Sequence, residues 1–141
     1  MNRPDPLAAP AFAAGAADAA QPAGARWRTV LGVFKLRIGV LIMLTAIAGL
    51  AIVPEGSVSA AQAVILALSV LVASASAGAF NQYVEADSDR LMKRTRGRAF
   101  ASGALPRSGG WMAIIVGLLV LAVAAAAWWV NVVAAVFVLL G

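Results

Sequence analysis

The sequence predicts an all-α, polytopic transmembrane helix bundle, truncated to three full spans plus part of a fourth. Three observations predict it. Of the 141 residues, 62% are hydrophobic and only 12% charged, whereas a soluble domain carries about a quarter charged residues. Two stretches, 56–84 and 108–141, hold no charge at all, and each exceeds the ~20 residues a helix needs to cross a bilayer. The basic residues gather beside these runs instead of within them, as in a chain held by the membrane.

Residues 1–25 are rich in Ala and Pro, with Asp5 and Asp18 among them, and show no sustained helical period. They read as a disordered cytoplasmic tail. A secretory signal fits poorly, because Pro10 and Asp18 interrupt the run and only Arg3 precedes it as a basic residue. Residues 26–141 form the membrane domain. Its first span covers about 30–53, with Lys35 and Arg37 near one end, where their charges can snorkel to the interface. A short turn follows at 54–59, opened by the helix breaker Pro54.

The second span covers about 60–83. Ser69, Ser74, Ser76 and Gly78 give it small surfaces for close packing, so it reads as an interior helix. A charged loop occupies about 84–110. The third span covers about 111–130, with Trp111 at one end and Trp128 and Trp129 at the other, as interfacial belts favour. Asn131 marks a turn, and the apolar run 132–141 is about half the length needed to cross. The chain therefore reads as the front portion of a longer protein. Arg26, Arg28, Lys35 and Arg37 precede or open the first span, and Arg90, Lys93, Arg94, Arg96, Arg98 and Arg107 lie between the second and third. The turn at 54–59 has no basic residue, so the positive-inside rule places the tail and the charged loop in the cytoplasm.

Composition excludes several chemistries. With no Cys there are no disulfides, thiolate metal sites or thiol nucleophiles, and with no His the commonest metal ligand and proton shuttle is missing. Any metal must be held by oxygen, which favours magnesium or a similar hard cation. The net charge of +5 is accounted for by membrane topology, without a nucleic-acid partner.

The informative stretch is 81–98, which holds Asn81, Gln82, Glu85, Asp87 and Asp89 together with Arg90, Lys93, Arg94, Arg96 and Arg98. If the second helix continues past Tyr83, Asn81, Glu85 and Asp89 fall four apart and share one face, while Asp87 points elsewhere. Such a column of oxygens is unfavourable unless a cation meets it. Magnesium takes one or two carboxylates and fills its other sites with water and phosphate oxygens. The arginines that follow suit phosphate. Metal-holding carboxylates beside phosphate-holding arginines could make diphosphate a leaving group. Two plainer readings stay open: a loop whose basic residues only set topology, and ion pairing between the acidic face and the arginines. A calcium loop does not fit, for lack of Gly at its sixth position and Glu at its twelfth.

The stretch 81–106, NQYVEADSDRLMKRTRGRAFASGALP, resembles the first aspartate-rich motif and following loop of the intramembrane aromatic prenyltransferases, closest to their haem O synthase (protohaem IX farnesyltransferase) branch. Asp87, Asp89, Met92, Arg94, Thr95, Arg98, Ser102 and Gly103 fit that pattern, and 34–50, FKLRIGVLIMLTAIAGL, resembles the branch's first helix. Glu85 stands where the family usually has Asp, Ala99 where it has Pro, and Leu36 where a Pro separates Lys and Arg.

The resemblance implies a membrane helix bundle with a second aspartate-rich motif on a later helix, outside these 141 residues. It implies that Asn81, Glu85 and Asp89 help hold Mg2+ on farnesyl diphosphate, that Arg94 and Arg98 contact the diphosphate, and that Asp87, Lys35 and Arg37 support them. Haem b enters as substrate, its vinyl group attacking the allylic cation and water completing haem O. The implied partners are farnesyl diphosphate, haem b, the lipid bilayer and a haem A synthase or terminal oxidase, and the implied location is a bacterial inner membrane. This stretch of chain alone is expected to be inactive. Hydroxybenzoate or chlorophyllide acceptors of the same superfamily remain alternatives, as does a non-enzymatic membrane interaction or transport subunit.

Overall fold

The computed structural model describes residues 23–52, 54 and 58–141. Residues 1–22 of the expected tail lie outside the described residues, as do Glu55, Gly56 and Ser57 of the expected turn. Among the described residues six helices follow one another: α1 Ala23–Val33, α2 Leu36–Leu50, α3 Ala60–Val84, α4 Ala86–Leu91, α5 Gly109–Trp129 and α6 Val132–Leu140. Residues 23–25 thus begin a helix where tail was expected.

Helix α3 is the hub, with α2, α5 and α6 packed along it and α1 and α4 at its C-terminal end. Apart from Gln82, its buried side chains are small, Ala67, Ser69, Ala73, Ala75, Ser76 and Ala79, which lets neighbouring backbones come close where burial of large side chains cannot drive association. On α2 the partner of this surface is Gly39: a Cβ there would stand 3.0 Å from Leu71 Cδ1 and 3.5 Å from the Leu71 carbonyl oxygen. Polar groups within the bundle stay satisfied by local backbone, Ser76 Oγ donating to the Val72 carbonyl at 2.9 Å and Thr45 Oγ1 to Leu41 at 3.0 Å.

The far end of α3 is fixed by a reciprocal cap. Gln62 N–H donates to Ser59 Oγ at 3.2 Å, and Ser59 N–H donates to Gln62 Oε1 at 2.9 Å, satisfying two donors a helix start leaves open. The same Gln62 amide donates to the Trp129 carbonyl at the end of α5, 3.2 Å away. Asn131 then starts α6, its Oδ1 accepting from Ala134 N–H at 2.7 Å.

Helices α3 and α5 are each long and apolar enough to cross a membrane, and α1 with α2 make a third span if the bent pair is one crossing. Large side chains such as Leu41, Leu44, Leu68, Val120 and Leu121 are exposed along them, a surface suited to lipid. The first span expected over 30–53 carries a bend: α1 and α2 meet at 48°, and α2 ends at Leu50. The bend sits at Lys35, which adopts the left-handed conformation with φ 43° and ψ 43°, at a cost of about 1–2 kcal/mol for a residue with a Cβ. Gln82 of α3 offsets that cost. Its Nε2 donates to the carbonyls of Gly32 at 3.2 Å and Val33 at 2.8 Å, the groups freed where α1 stops.

Candidate functional site

The helical path does continue beyond Tyr83, with one flaw. Glu85 leaves helical geometry (φ −80°, ψ 1°) and separates α3 from α4, yet Glu85 N–H donates to Asn81 at 2.9 Å and Asp89 N–H to Glu85 at 2.8 Å. Both are the four-residue bonds of an α-helix. Asn81, Glu85 and Asp89 therefore occupy successive turns. Asn81 is exposed, the Glu85 side chain is 55% exposed, and Asp89 is 6% exposed.

After α4 the chain folds back on itself. Thr95 and Arg96 N–H both donate to Met92, Arg98 N–H donates to Thr95, and Ser102 N–H donates to Arg98. Gly103, at φ +79°, turns the loop toward α5, in a conformation that favours glycine. What anchors the loop is Phe100, 1% exposed and set edge-on between Tyr83 of α3 (5.3 Å between centroids) and Trp111 of α5 (5.7 Å). Thr95, also buried, donates its hydroxyl to the Asp89 carbonyl at 3.2 Å.

This anchoring delivers Arg98 to the carboxylates. Its Nη1 lies 2.9 Å from Asp89 Oδ1, 2.7 Å from Oδ2 and 3.5 Å from Glu85 Oε2. Burial alone would raise the Asp89 pKa, but hydrogen bonds from Arg98 and Thr95, with the positive charges of Arg98 and Lys35, outweigh it and hold the carboxyl below its usual value. Lys35 reaches this region because the bend lays its aliphatic stem over Gly78: a Cβ on that glycine would stand 3.5 Å from Lys35 Cβ and Cδ.

Asp87 faces the other way. Its Oδ2 is 2.7 Å from Arg107 Nη1 and its Oδ1 is 3.3 Å from Arg90 Nη1. Arg107 also lies over the Tyr83 ring at 5.4 Å, and Tyr83 donates its hydroxyl to Ser108 at 3.2 Å. Asp87 thus ties the end of the loop to the start of α5.

Of the residues picked out by sequence, the fold brings Glu85, Asp89 and Arg98 together, with Lys35 nearby and Asn81 one turn down. It does not bring in Arg94 or Arg37. Both are exposed, and none of the polar contacts around Asp89 involves them. Sequence reasoning missed Gln82, Thr95 and Phe100 as the parts that hold the site. Their burial depends on contacts with α1, α4 and α5, which no local pattern displays.

A cavity of about 380 Å³ opens beside the site, lined by Thr29, Gly32, Lys35, Gln82, Gly97 and Arg98 among others. A larger one of about 640 Å³ lies deeper, between α2, α3 and α6, lined by residues such as Ile42, Thr45, Val70, Ala73 and Phe137. The larger cavity has no charged side chain in its wall, whereas Lys35 and Arg98 line the smaller one. Among the described residues no three carboxylates converge on one point. Glu85 and Asp89 supply oxygen donors of the kind a hard cation takes, and a cationic nitrogen, Arg98 Nη1, already lies between them.

A model of the UbiA prenyltransferase family matches residues 42–141, which takes in the whole stretch from Asn81 to Arg98. Protoheme IX farnesyltransferase 2 of Paramagnetospirillum magneticum is 44% identical over 117 residues, 83% of this chain and 41% of that protein. Protoheme IX farnesyltransferase 1 of the same organism is 36% identical over 106 residues, 74% of this chain and 37% of the relative. Protoheme IX farnesyltransferase of Hyphomonas neptunium is 35% identical over 102 residues, 70% and 31% respectively. The chain thus spans less than half the length of these curated relatives. No solved structure matches it.

Proposed function

The chain belongs to the UbiA prenyltransferase family, and from that premise we propose that it serves a protohaem IX farnesyltransferase, moving a farnesyl group from farnesyl diphosphate to a vinyl group of haem b. The observation that carries this is the meeting of Glu85 and Asp89 on one cationic position, one and two turns beyond Asn81, at the end of an apolar helix. Resemblance to relatives named protoheme IX farnesyltransferase supports haem as acceptor.

Asn81, Glu85 and Asp89 would hold Mg2+, which when bound supplies positive charge to the departing diphosphate. Asp89 is the fixed ligand: buried and kept ionised, it needs no deprotonation before binding a cation. Glu85, more exposed and one methylene longer than Asp, is the adjustable one. Arg98, and Arg94 once turned inward from the loop surface, would donate charge-assisted hydrogen bonds to diphosphate oxygens, with Lys35 adding charge from the opposite wall. As the allylic C–O bond breaks, its electron pair leaves with diphosphate. The vinyl carbon forms the new C–C bond, and water adds to the resulting cation with loss of a proton. Apolar walls such as those around Val70 and Phe137 would keep the farnesyl cation from water until then. Asp87 serves by holding Arg107 and the loop.

The protein would sit in a bacterial inner membrane as a multi-pass protein with its N-terminus and charged loop in the cytoplasm. There it would deliver haem O to a haem A synthase or terminal oxidase. The test is farnesyl transfer by a protein that joins this stretch to the later helices the resemblance implies, in reconstituted membranes supplied with labelled farnesyl diphosphate, haem b and Mg2+. Replacing Glu85→Gln together with Asp89→Asn should reduce transfer by about 100-fold or more; undiminished transfer by the double variant would sink the reading.

A further inference from the structure

Resting on that metal site, we propose that Arg98 is an exchangeable counter-ion. Its Nη1 stands where the divalent cation would go, and metal binds more tightly together with a diphosphate that takes the guanidinium over.

The contact geometry points this way. A guanidinium ordinarily meets a carboxylate as a fork, two nitrogens to two oxygens. Here a single nitrogen, Nη1, takes both Asp89 oxygens at 2.9 and 2.7 Å and Glu85 Oε2 at 3.5 Å. Three oxygens from two carboxylates around one atom is the arrangement of a point cation in an anionic cage. The nitrogen is a placeholder, and its hold is adjustable, since the Arg98 side chain is 25% exposed while that of Asp89 is 6% exposed.

The surroundings give the guanidinium somewhere to go. Arg98 lines the cavity of about 380 Å³ with Lys35, Thr29 and Gln82. Its backbone stays put, because Arg98 N–H donates to Thr95 at 2.9 Å, its carbonyl accepts from Ser102 at 2.8 Å, and the next two residues, Ala99 and Phe100, are buried. The exchange is therefore a side-chain swing and not a movement of the loop.

Charge then fixes the order of loading. Two carboxylates and one guanidinium leave a single net negative charge, which Lys35 across the cavity counters. A bare divalent ion arriving there must displace Arg98 and leave it unpaired beside Lys35. A metal–diphosphate complex brings the anion that both cations need. Metal and diphosphate should therefore strengthen each other's binding, and reciprocally.

The experiment is Mn2+ binding followed by electron paramagnetic resonance, on the full chain in lipid nanodiscs, with metal alone and then with inorganic diphosphate, corrected for the complex the two form in solution. In the wild type, diphosphate should tighten Mn2+ binding by about 5- to 150-fold, and coupling below that range overturns the proposal without recourse to any variant. Arg98→Gln should bind Mn2+ alone more tightly than wild type by a similar factor and lose most of the coupling, whereas Arg98→Lys, which keeps the charge, should behave like wild type. Equal or weaker Mn2+ affinity in Arg98→Gln refutes the exchange while leaving the metal site standing. If no form binds Mn2+ with or without diphosphate, the metal site itself is wrong and the proposal falls with it.

Discussion

Two carboxylate–arginine pairs stand two residues apart on α4 and answer to different physics. Asp89 is buried and shares one Arg98 nitrogen with Glu85; Asp87 is 70% exposed and holds Arg107 and Arg90 in solvent. Both carry the same charges at similar distances, the shortest contact being 2.7 Å in each. The buried pair cannot lose one member without stranding the other in a low-dielectric pocket. The exposed pair can, because water replaces whatever leaves. Helical period alone separates them, one carboxylate on the inner face and one on the outer.

The largest effect should come from removing what holds both pairs in place. Phe100→Ala empties the space between Tyr83 and Trp111 and should cost about 3–5 kcal/mol. It should free the loop so that both pairs lose protection in hydrogen exchange; if the loop stays protected, some other contact anchors it. Asp89→Asn comes next. A fully buried pair broken on one side costs about 3–5 kcal/mol, and since Arg98 is a quarter exposed the loss should be nearer about 2 kcal/mol, read as a lowered midpoint of thermal unfolding.

Acid should tell the two pairs apart more finely. The Asp89 carboxyl lies below its usual value when folded, so its contribution is full above the unfolded carboxylate value and is lost as pH falls through the lower, folded one. Loop protection should hold steady from neutrality to about pH 5 and decline in the acid range below the unfolded value of about 3.9. That decline should persist in Asp87→Asn and be largely absent in Asp89→Asn. The smallest effect belongs to Asp87→Asn itself, at most about 1 kcal/mol and shrinking with added salt. A loss of several kcal/mol there would mean the outer pair is no mere surface tether.

That Asn81, Glu85 and Asp89 would stand on successive turns was legible because a four-residue spacing needs only a helix to align it, and α3 with α4 keeps the four-residue bonds through Glu85. That Asp87 would face away follows from the same period. Which arginine would pair was not legible. Arg94 and Arg98 are four residues apart in one loop, and only the insertion of Phe100 between two helices decides that Arg98 reaches Asp89. The bend at Lys35 was hidden for a related reason. Lys35, Leu36 and Arg37 include neither Gly nor Pro, and the left-handed turn is stabilised by Gln82 and Gly78 from a helix more than forty residues on. Local sequence states preferences; it does not state which distant group will override them.

Helix α3 has 25 residues, about 37 Å at ~1.5 Å each, against a hydrocarbon core of ~30 Å. A surplus of a little over one turn, placed at the end bearing Asn81 and Gln82, would lift the charged site into the headgroup layer while the apolar cavity stays among acyl chains. A diphosphate ester of a long isoprenoid has the same division along its length. Hydrophobic mismatch would then become a variable of the proposed transfer: a thicker bilayer would draw the site toward hydrocarbon or make α3 stand more upright, and a thinner one would tilt it. Acyl-chain length in the host membrane should thus tune how wet the carboxylates are, with no change to any residue that touches them.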